Sequence, residues 1–147
     1  MTINCLGKLI DLTSPKVMGI LNVTPNSFYD GGMHSDDESV LFQVEKVLSE
    51  GATFIDIGAY SSKPGASHIS EEEELQRILP VVTAIIKEFP ETIISIDTFR
   101  STVAKETVAI GAALINDISG GTLDEKMFET VAKLQVPYIL MHMKGTP

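Results

Sequence analysis

Two hydrophobic rhythms alternate along this chain. Short, nearly continuous apolar runs occur at "VMGILN" (17–22), "TFIDIG" (53–58), "TIISIDTF" (92–99), "ALINDIS" (113–119) and "VPYILMHM" (136–143). Such runs predict strands covered on both faces. Between them, apolar residues return every three or four positions, the period of a helix with one buried face. Val40, Leu41, Val44, Val47 and Leu48 form one such stripe; Leu75, Ile78, Leu79, Val82, Ile85, Ile86 and Phe89 form another. The segments 101–112 and 124–135 predict two more helices, and "NCLGKLIDLTS" (4–14) predicts a short hairpin around Gly7.

Local signals set the ends. Ser35 with Glu38, and Ser70 with Glu73, have the spacing of capping boxes. Gly51 suits the residue just past a helix, and Gly111 ends the third one. Pro80 falls inside the second helix and is expected to kink or split it.

Strands alternating with helices imply a parallel sheet with right-handed crossovers. An open doubly wound sheet and a (β/α)8 barrel both fit, but no GxGxxG follows the first strand, which weakens a dinucleotide-binding sheet. Each strand is expected to end in a hydrogen-bonding side chain: Asn22, Asp56, Asp97, Asn116 with Asp117, and His142. In a barrel these ends share one rim, where active sites lie. Segments 23–35 and 58–70, both after strands, hold 13 residues each, whereas "EGA" and "FPET" before strands are short. The expected fold class is therefore α/β, a (β/α)8 TIM barrel. Residues 1–147 would supply the N-terminal hairpin and about five strands and four helices of a single domain of roughly 250 residues.

Composition narrows the partners. A net charge of −9 disfavours nonspecific binding to nucleic acid. Glu71 to Glu74 read as a solvated first helical turn, where the dipole favours carboxylates. Cys5 stands alone, so no internal disulfide forms. No stretch has the pattern of a secretion signal or the length of a membrane span, and a cytoplasmic protein is expected.

The candidate chemistry lies at the strand ends. Asn22 offers a carbonyl oxygen for Mg²⁺ or an amide for phosphate; it is also an ordinary turn-starting residue. Asp56 and Asp97 sit among apolar neighbours, and a buried carboxylate needs a partner. Loop amides could supply it, or the N–H/NH₂ edge of a heterocycle, with Asn116 complementing that edge. Asp117 could equally cap the next turn. "SSKPGAS" (61–67) could close on an anion or be a plain turn, and "SGG" (119–121) could form an anion nest or simply precede a helix. His142 has no companion at zinc-ligand spacing.

These motifs, in this order, resemble the dihydropteroate synthase family. "MGILNVTPNSFYDGG" is similar to its first signature and loop 1, and "IDIGAYSSKPGAS" to its second signature and loop 2. "SIDTFR", "INDISGG" and "LMHMKGTP" match its third, fourth and fifth strand ends. The resemblance implies a barrel enzyme of folate biosynthesis. It joins p-aminobenzoate to 6-hydroxymethyl-7,8-dihydropterin pyrophosphate and releases pyrophosphate. It implies Mg²⁺ and diphosphate at Asn22, and a pterin pocket at Asp56, Asp97, Asn116, Ile118 and Met141. Phe28, Ser62, Lys63 and Pro64 would border p-aminobenzoate, where sulfonamides compete. Asp56, Asp97 and Lys63 would be the catalytic residues, and the full-length enzyme a homodimer.

Several positions depart from the family pattern; Ser62, for one, keeps a hydroxyl in place of Thr. Asn26 stands where the family commonly has Asp, and Lys63 stands where it has Arg, keeping the charge without the planar fork. The family's later pterin-binding Asp and Lys and its Arg-x-His diphosphate contacts are not in this sequence, so the chain alone is expected to be inactive. Two alternatives remain open at this point. One is a pterin-binding methyltransferase with a corrinoid partner, which does not need loop 1; the other is a non-catalytic half-barrel.

Overall fold

The computed structural model describes residues 1–23, 35–59 and 68–144. A hairpin, β1 (Thr2–Cys5) and β2 (Lys8–Asp11), opens the chain. There follow β3 (Met18–Asn22), α1 (Ser35–Ser49), β4 (Phe54–Gly58), α2 (Glu71–Glu88) and β5 (Ile93–Asp97). The chain continues through α3 (Ser101–Ala109), β6 (Leu114–Asp117), α4 (Met127–Leu134) and β7 (Tyr138–Leu140). Strands β3 to β7 form one parallel sheet in sequential order, β3-β4-β5-β6-β7. Sequential order, with each crossover returning by a helix, is the winding of a (β/α)8 barrel rather than of a sheet whose order reverses.

Side chains alternate across the strands and divide the core in two. Ile55, Ile57, Ile94, Ile96 and Ile115 face the helices and meet Val44, Ile78, Val82, Ile85, Val103 and Val131. Phe54, Ile93 and Leu114 belong to a separate cluster with Cys5, Ile3, Ile10 and Met18. The hairpin therefore covers the end of the inner face where the strands start. Leu6 and Gly7, both at positive φ, make its tight turn. Lys8 Nζ fastens the hairpin by donating to the Glu91 carbonyl at 2.9 Å and its carboxylate at 2.8 Å. The opposite end of that face, where the strands finish, stays clear of it.

Several expected boundaries shift for local reasons. Helix α2 runs unbroken through Pro80, so of the two expected outcomes the split does not occur. The buried stripe Ile78, Val81, Val82 and Ile85 holds the helix to the sheet on both sides of the missing N–H. Only half of its expected capping box forms. Ser70 Oγ accepts from the Glu73 N–H at 3.1 Å, but the Glu73 carboxylate turns to Arg77 instead. The side chain of Ser35 lies outside the described residues. Helix α4 starts at Met127 rather than near 124, because the Asp124 carboxylate accepts from Ser101 N at 2.7 Å and Lys126 N at 2.9 Å. Among the described residues no helix is long and apolar enough to cross a membrane.

Helix α1 lies on β3 over Gly19. A Cβ at that glycine would fall 2.2 Å from Val47 Cγ1, so any side chain pushes the helix away. Gly19→Ala is expected to lower the unfolding free energy by about 1–3 kcal/mol through overpacking. Urea denaturation checks this, and an unchanged midpoint would show that α1 is free to move.

Candidate active site

The parallel register builds the site. Asn22, Gly58, Asp97, Asn116 and Ile139 pair across adjacent strands as one row at the strand ends. Ile20, Asp56, Ser95 and Leu114 form the row beneath. Asp56 is thus not the terminal residue of its strand. β4 runs on to Gly58, which places Asp56 one layer deeper than Asp97.

The two carboxylates have opposite environments. Asp56 is buried and already occupied: Ser95 Oγ donates to Oδ1 at 2.6 Å, and Asn116 Nδ2 donates to Oδ2 at 3.0 Å. The second bond fixes the Asn116 amide, because a carboxylate can only accept. It leaves Asn116 Oδ1 buried with no hydrogen-bond partner. No donor among the described residues reaches Asp97. Its carboxylate lies against Gly58, where a Cβ would come within 3.3 Å of both Asp97 Cβ and Oδ2. Burial first, and then the charges of Asp56, Glu74 and Asp117, push the Asp97 carboxyl up to about 7. Two acceptor groups in one row, the Asp97 carboxyl and Asn116 Oδ1, therefore lack N–H donors, and a buried acceptor left unpaired is costly. A flat ligand edge bearing adjacent N–H and NH₂ groups would satisfy both.

Other candidate residues fall in different places. Asn22 ends β3 with its side chain exposed. Ile118 is half-buried just after β6, and Met141 is exposed just after β7, its N–H bonded to the Asp117 carbonyl at 3.1 Å. His142 lies beyond β7 and ends no strand. Asp117 caps the next turn. Its carboxylate accepts from Ser119 N and Ser119 Oγ at 2.8 Å each, Gly121 N at 2.9 Å and Tyr138 Oη at 2.6 Å. The nest considered for "SGG" is filled by the protein's own Asp117. Phe28, Ser62, Lys63, Pro64 and Asn26 lie outside the described residues. Among the described residues no group of three or more His, Cys, Asp or Glu could hold a metal ion.

One reading of the sequence is corrected. Glu74 was grouped with a solvated acidic run, yet it is fully buried; only Glu71 and Glu72 are exposed. Its Oε1 accepts from Thr98 Oγ1 at 2.8 Å and its Oε2 from Arg100 Nη1 at 2.6 Å. Spacing carried a signal for this: Glu74 lies one helical turn before Ile78 on the buried stripe.

Residues 18–147 match the family model described as pterin binding enzyme. The chain belongs to that family. It is 56% identical over 129 residues to the folic acid synthesis protein fol1 of Pneumocystis carinii, covering 88% of this chain and 17% of that protein. It is 46% identical over 142 residues to the dihydropteroate synthase of Escherichia coli K12, covering 96% and 49%. The Yersinia pestis dihydropteroate synthase, solved with a sulfonamide drug complex, superposes with a TM-score of 0.86 at 46% identity, over 100% of this chain and 53% of that one. The Xanthomonas albilineans enzyme in complex with 7,8-dihydropteroate gives 0.81 at 37% identity, over 98% and 52%. The chain thus spans about half the length of these bacterial pterin-binding relatives.

The state of Asp97 generates a test on the family's inner face. Its carboxyl rises from 3.8 to about 7 on folding, so the folded protein binds the extra proton. That stabilisation is complete below about pH 4 and is lost as pH rises through about 7. The loss is on the order of 2–4 kcal/mol, the upper end corresponding to the full shift. Asp97→Asn removes it. The variant should gain stability relative to the parent between pH 5 and pH 8 in urea titrations. A constant difference across that range would show that Asp97 titrates normally.

Proposed function

We propose that this chain supplies the pterin-facing and diphosphate-facing part of a dihydropteroate synthase site. The observation that carries the reading is the pair of unpaired acceptors, the Asp97 carboxylate and Asn116 Oδ1, in one row at the strand ends. A dihydropterin presents ring N–H and 2-amino donors along one edge, which meets both acceptors at once. Binding draws the proton from Asp97, because a carboxylate accepting two N–H groups favours its charged form. The folate-synthesis names of the relatives support this reading over a corrinoid-partnered methyltransferase.

In the whole enzyme the amine of p-aminobenzoate displaces diphosphate from the pterin methylene carbon. The forming bond is C–N, the bond lost is C–O, and the amine sheds one proton. As diphosphate departs, positive charge develops on the methylene and spreads into the ring. Asp97, with Asp56 one layer below, provides a negative field for it. Phe28, Ser62, Lys63 and Pro64 are assigned to the p-aminobenzoate side on their motif match, Lys63 being the one cation among the four.

Asn22 suits Mg²⁺ through its donor chemistry. Mg²⁺ favours one or two protein oxygens together with water and phosphate oxygens. A neutral carboxamide at an exposed strand end provides such an oxygen without repelling diphosphate. When bound, the metal neutralises charge on the leaving group.

Calorimetry tests this assignment on the chain itself. The pterin pyrophosphate with Mg²⁺ should bind, and Asp97→Asn should weaken it by roughly 100-fold through the loss of charge-assisted hydrogen bonds. Removing Mg²⁺ with EDTA should weaken the pyrophosphate but leave 6-hydroxymethyl-7,8-dihydropterin unaffected. Equal loss for both ligands would sink the assignment of Asn22. The isolated chain should form no dihydropteroate, and turnover by it would contradict the reading of a shared site.

A further inference from the structure

Glu74 is a fully buried carboxylate outside the proposed pocket, and no step of the reaction uses it. Its contacts lead to the pocket from two sides. Thr98 Oγ1 donates to Glu74 Oε1 at 2.8 Å, and Thr98 follows Asp97 directly. The N–H of the same threonine donates to the Asn116 carbonyl at 3.1 Å. Thr98 therefore stands between the backbones of both pocket acceptors. On the other side, Arg100 Nη1 donates to Glu74 Oε2 at 2.6 Å, while its Nη2 donates to the Ile69 carbonyl at 2.7 Å. Ile69 lies in the stem through which the chain passes from residues 60–67 into α2.

We infer that Glu74 and Thr98 are positioning residues for the pterin pocket, holding Asp97 and Asn116 at a fixed height relative to each other and to the stem at Ile69. The inference rests on the pterin reading of that pocket. A buried ion pair adds little net stability over an apolar pair of equal volume, so stability alone is a weak reason for this one. What it provides is direction. Both Glu74 oxygens accept, each from a different donor, and the Arg100 fork spans Glu74 and a main-chain carbonyl together. The Thr98 hydroxyl is fixed as well, since it donates to Glu74 and accepts from Arg100 N at 3.1 Å. Holding acceptor groups within a fraction of an ångström is what such supporting contacts do at a binding site.

The test uses variants that cut one link at a time. Thr98→Val keeps the shape and removes the hydroxyl; Thr98→Ser keeps the hydroxyl. Arg100→Lys keeps a charge for Glu74 but cannot span both acceptors in one fork. Each variant is titrated with the pterin pyrophosphate and Mg²⁺ well below its melting temperature. Thr98→Val should weaken binding by roughly 10–100-fold at unchanged stoichiometry, as misplaced groups do, and Thr98→Ser should restore it. Side-chain NMR is read in parallel. Thr98→Val should move the Asn116 side-chain amide resonances, Thr98→Ser should return them, and Arg100→Lys should move the Ser70 amide, which follows the Ile69 carbonyl. A folded Thr98→Val chain with parental affinity overturns the inference, because a purely structural hydroxyl would lower only the melting temperature. If the parent chain binds no pterin, the pterin reading fails. The Asn116 and Ser70 resonances still decide the positioning role, and unchanged resonances refute it.

Discussion

The candidate site depends on how two carboxylates on one sheet face divide the available donors. Asp56 takes two, the Ser95 hydroxyl and the Asn116 amide, and is satisfied within the protein. Asp97, one row higher, takes none among the described residues. The Asn116 amide turns its NH₂ to Asp56, and its oxygen, which can only accept, meets no donor. The parallel register puts the deficit at the strand ends, on the side away from the hairpin. The protein thus keeps an unpaired carboxyl and an unpaired carbonyl in a place it could have filled with apolar residues. Such a deficit destabilises the free protein and disappears when a donor-bearing ligand arrives.

The sheet can hold that deficit because the rest of the fold is conventional. Ile55, Ile57, Ile94, Ile96 and Ile115 pack against four helices with almost no exposure. The hairpin closes the inner face at the strand starts with Cys5, Ile3 and Ile10. Gly58 contributes by absence: with no Cβ it gives the Asp97 carboxylate room at the end of β4. These features separate a tightly packed end from a chemically unsatisfied one, the usual division of labour in barrel folds.

Much of this was legible in the sequence, because strand and helix periods differ and each strand carried a polar residue near its end. Those positions single out Asn22, Asp56, Asp97 and Asn116 as candidates. Their layering did not, since it depends on where β4 stops, and a continuous apolar run gives no sign of that. The terminal Gly58 reads as a loop residue, yet it pairs with Asp97 inside the sheet. Glu74 was misread because charge clustering outweighed helical phase: four successive glutamates suggest water, while the phase of the fourth points to the core. The "SGG" turn was ambiguous for a different reason. Its nest-like amides are visible in the sequence, but the Asp117 that fills them is not distinguishable from an outward-facing strand end.

The arrangement of charge along the sheet bears on the proposed reaction. The chain is strongly acidic, and four carboxylates, Asp56, Glu74, Asp97 and Asp117, gather around β4 to β6. A diphosphate-bearing substrate brought there head-on would be repelled. The order of the strands avoids this. β3 ends in the neutral Asn22 and β4 ends in Gly58, so neither of the first two strand ends in the row carries a charge. The carboxylate first enters that row on β5, at Asp97. On the proposed reading, the uncharged edge is the side for an anion and the carboxylate edge the side for a ring that gains positive charge. A substrate with a diphosphate at one end and a protonatable heterocycle at the other fits that polarity in a single orientation. In the proposed reaction, departure of the anion would pull charge apart along the direction in which the sheet already separates it.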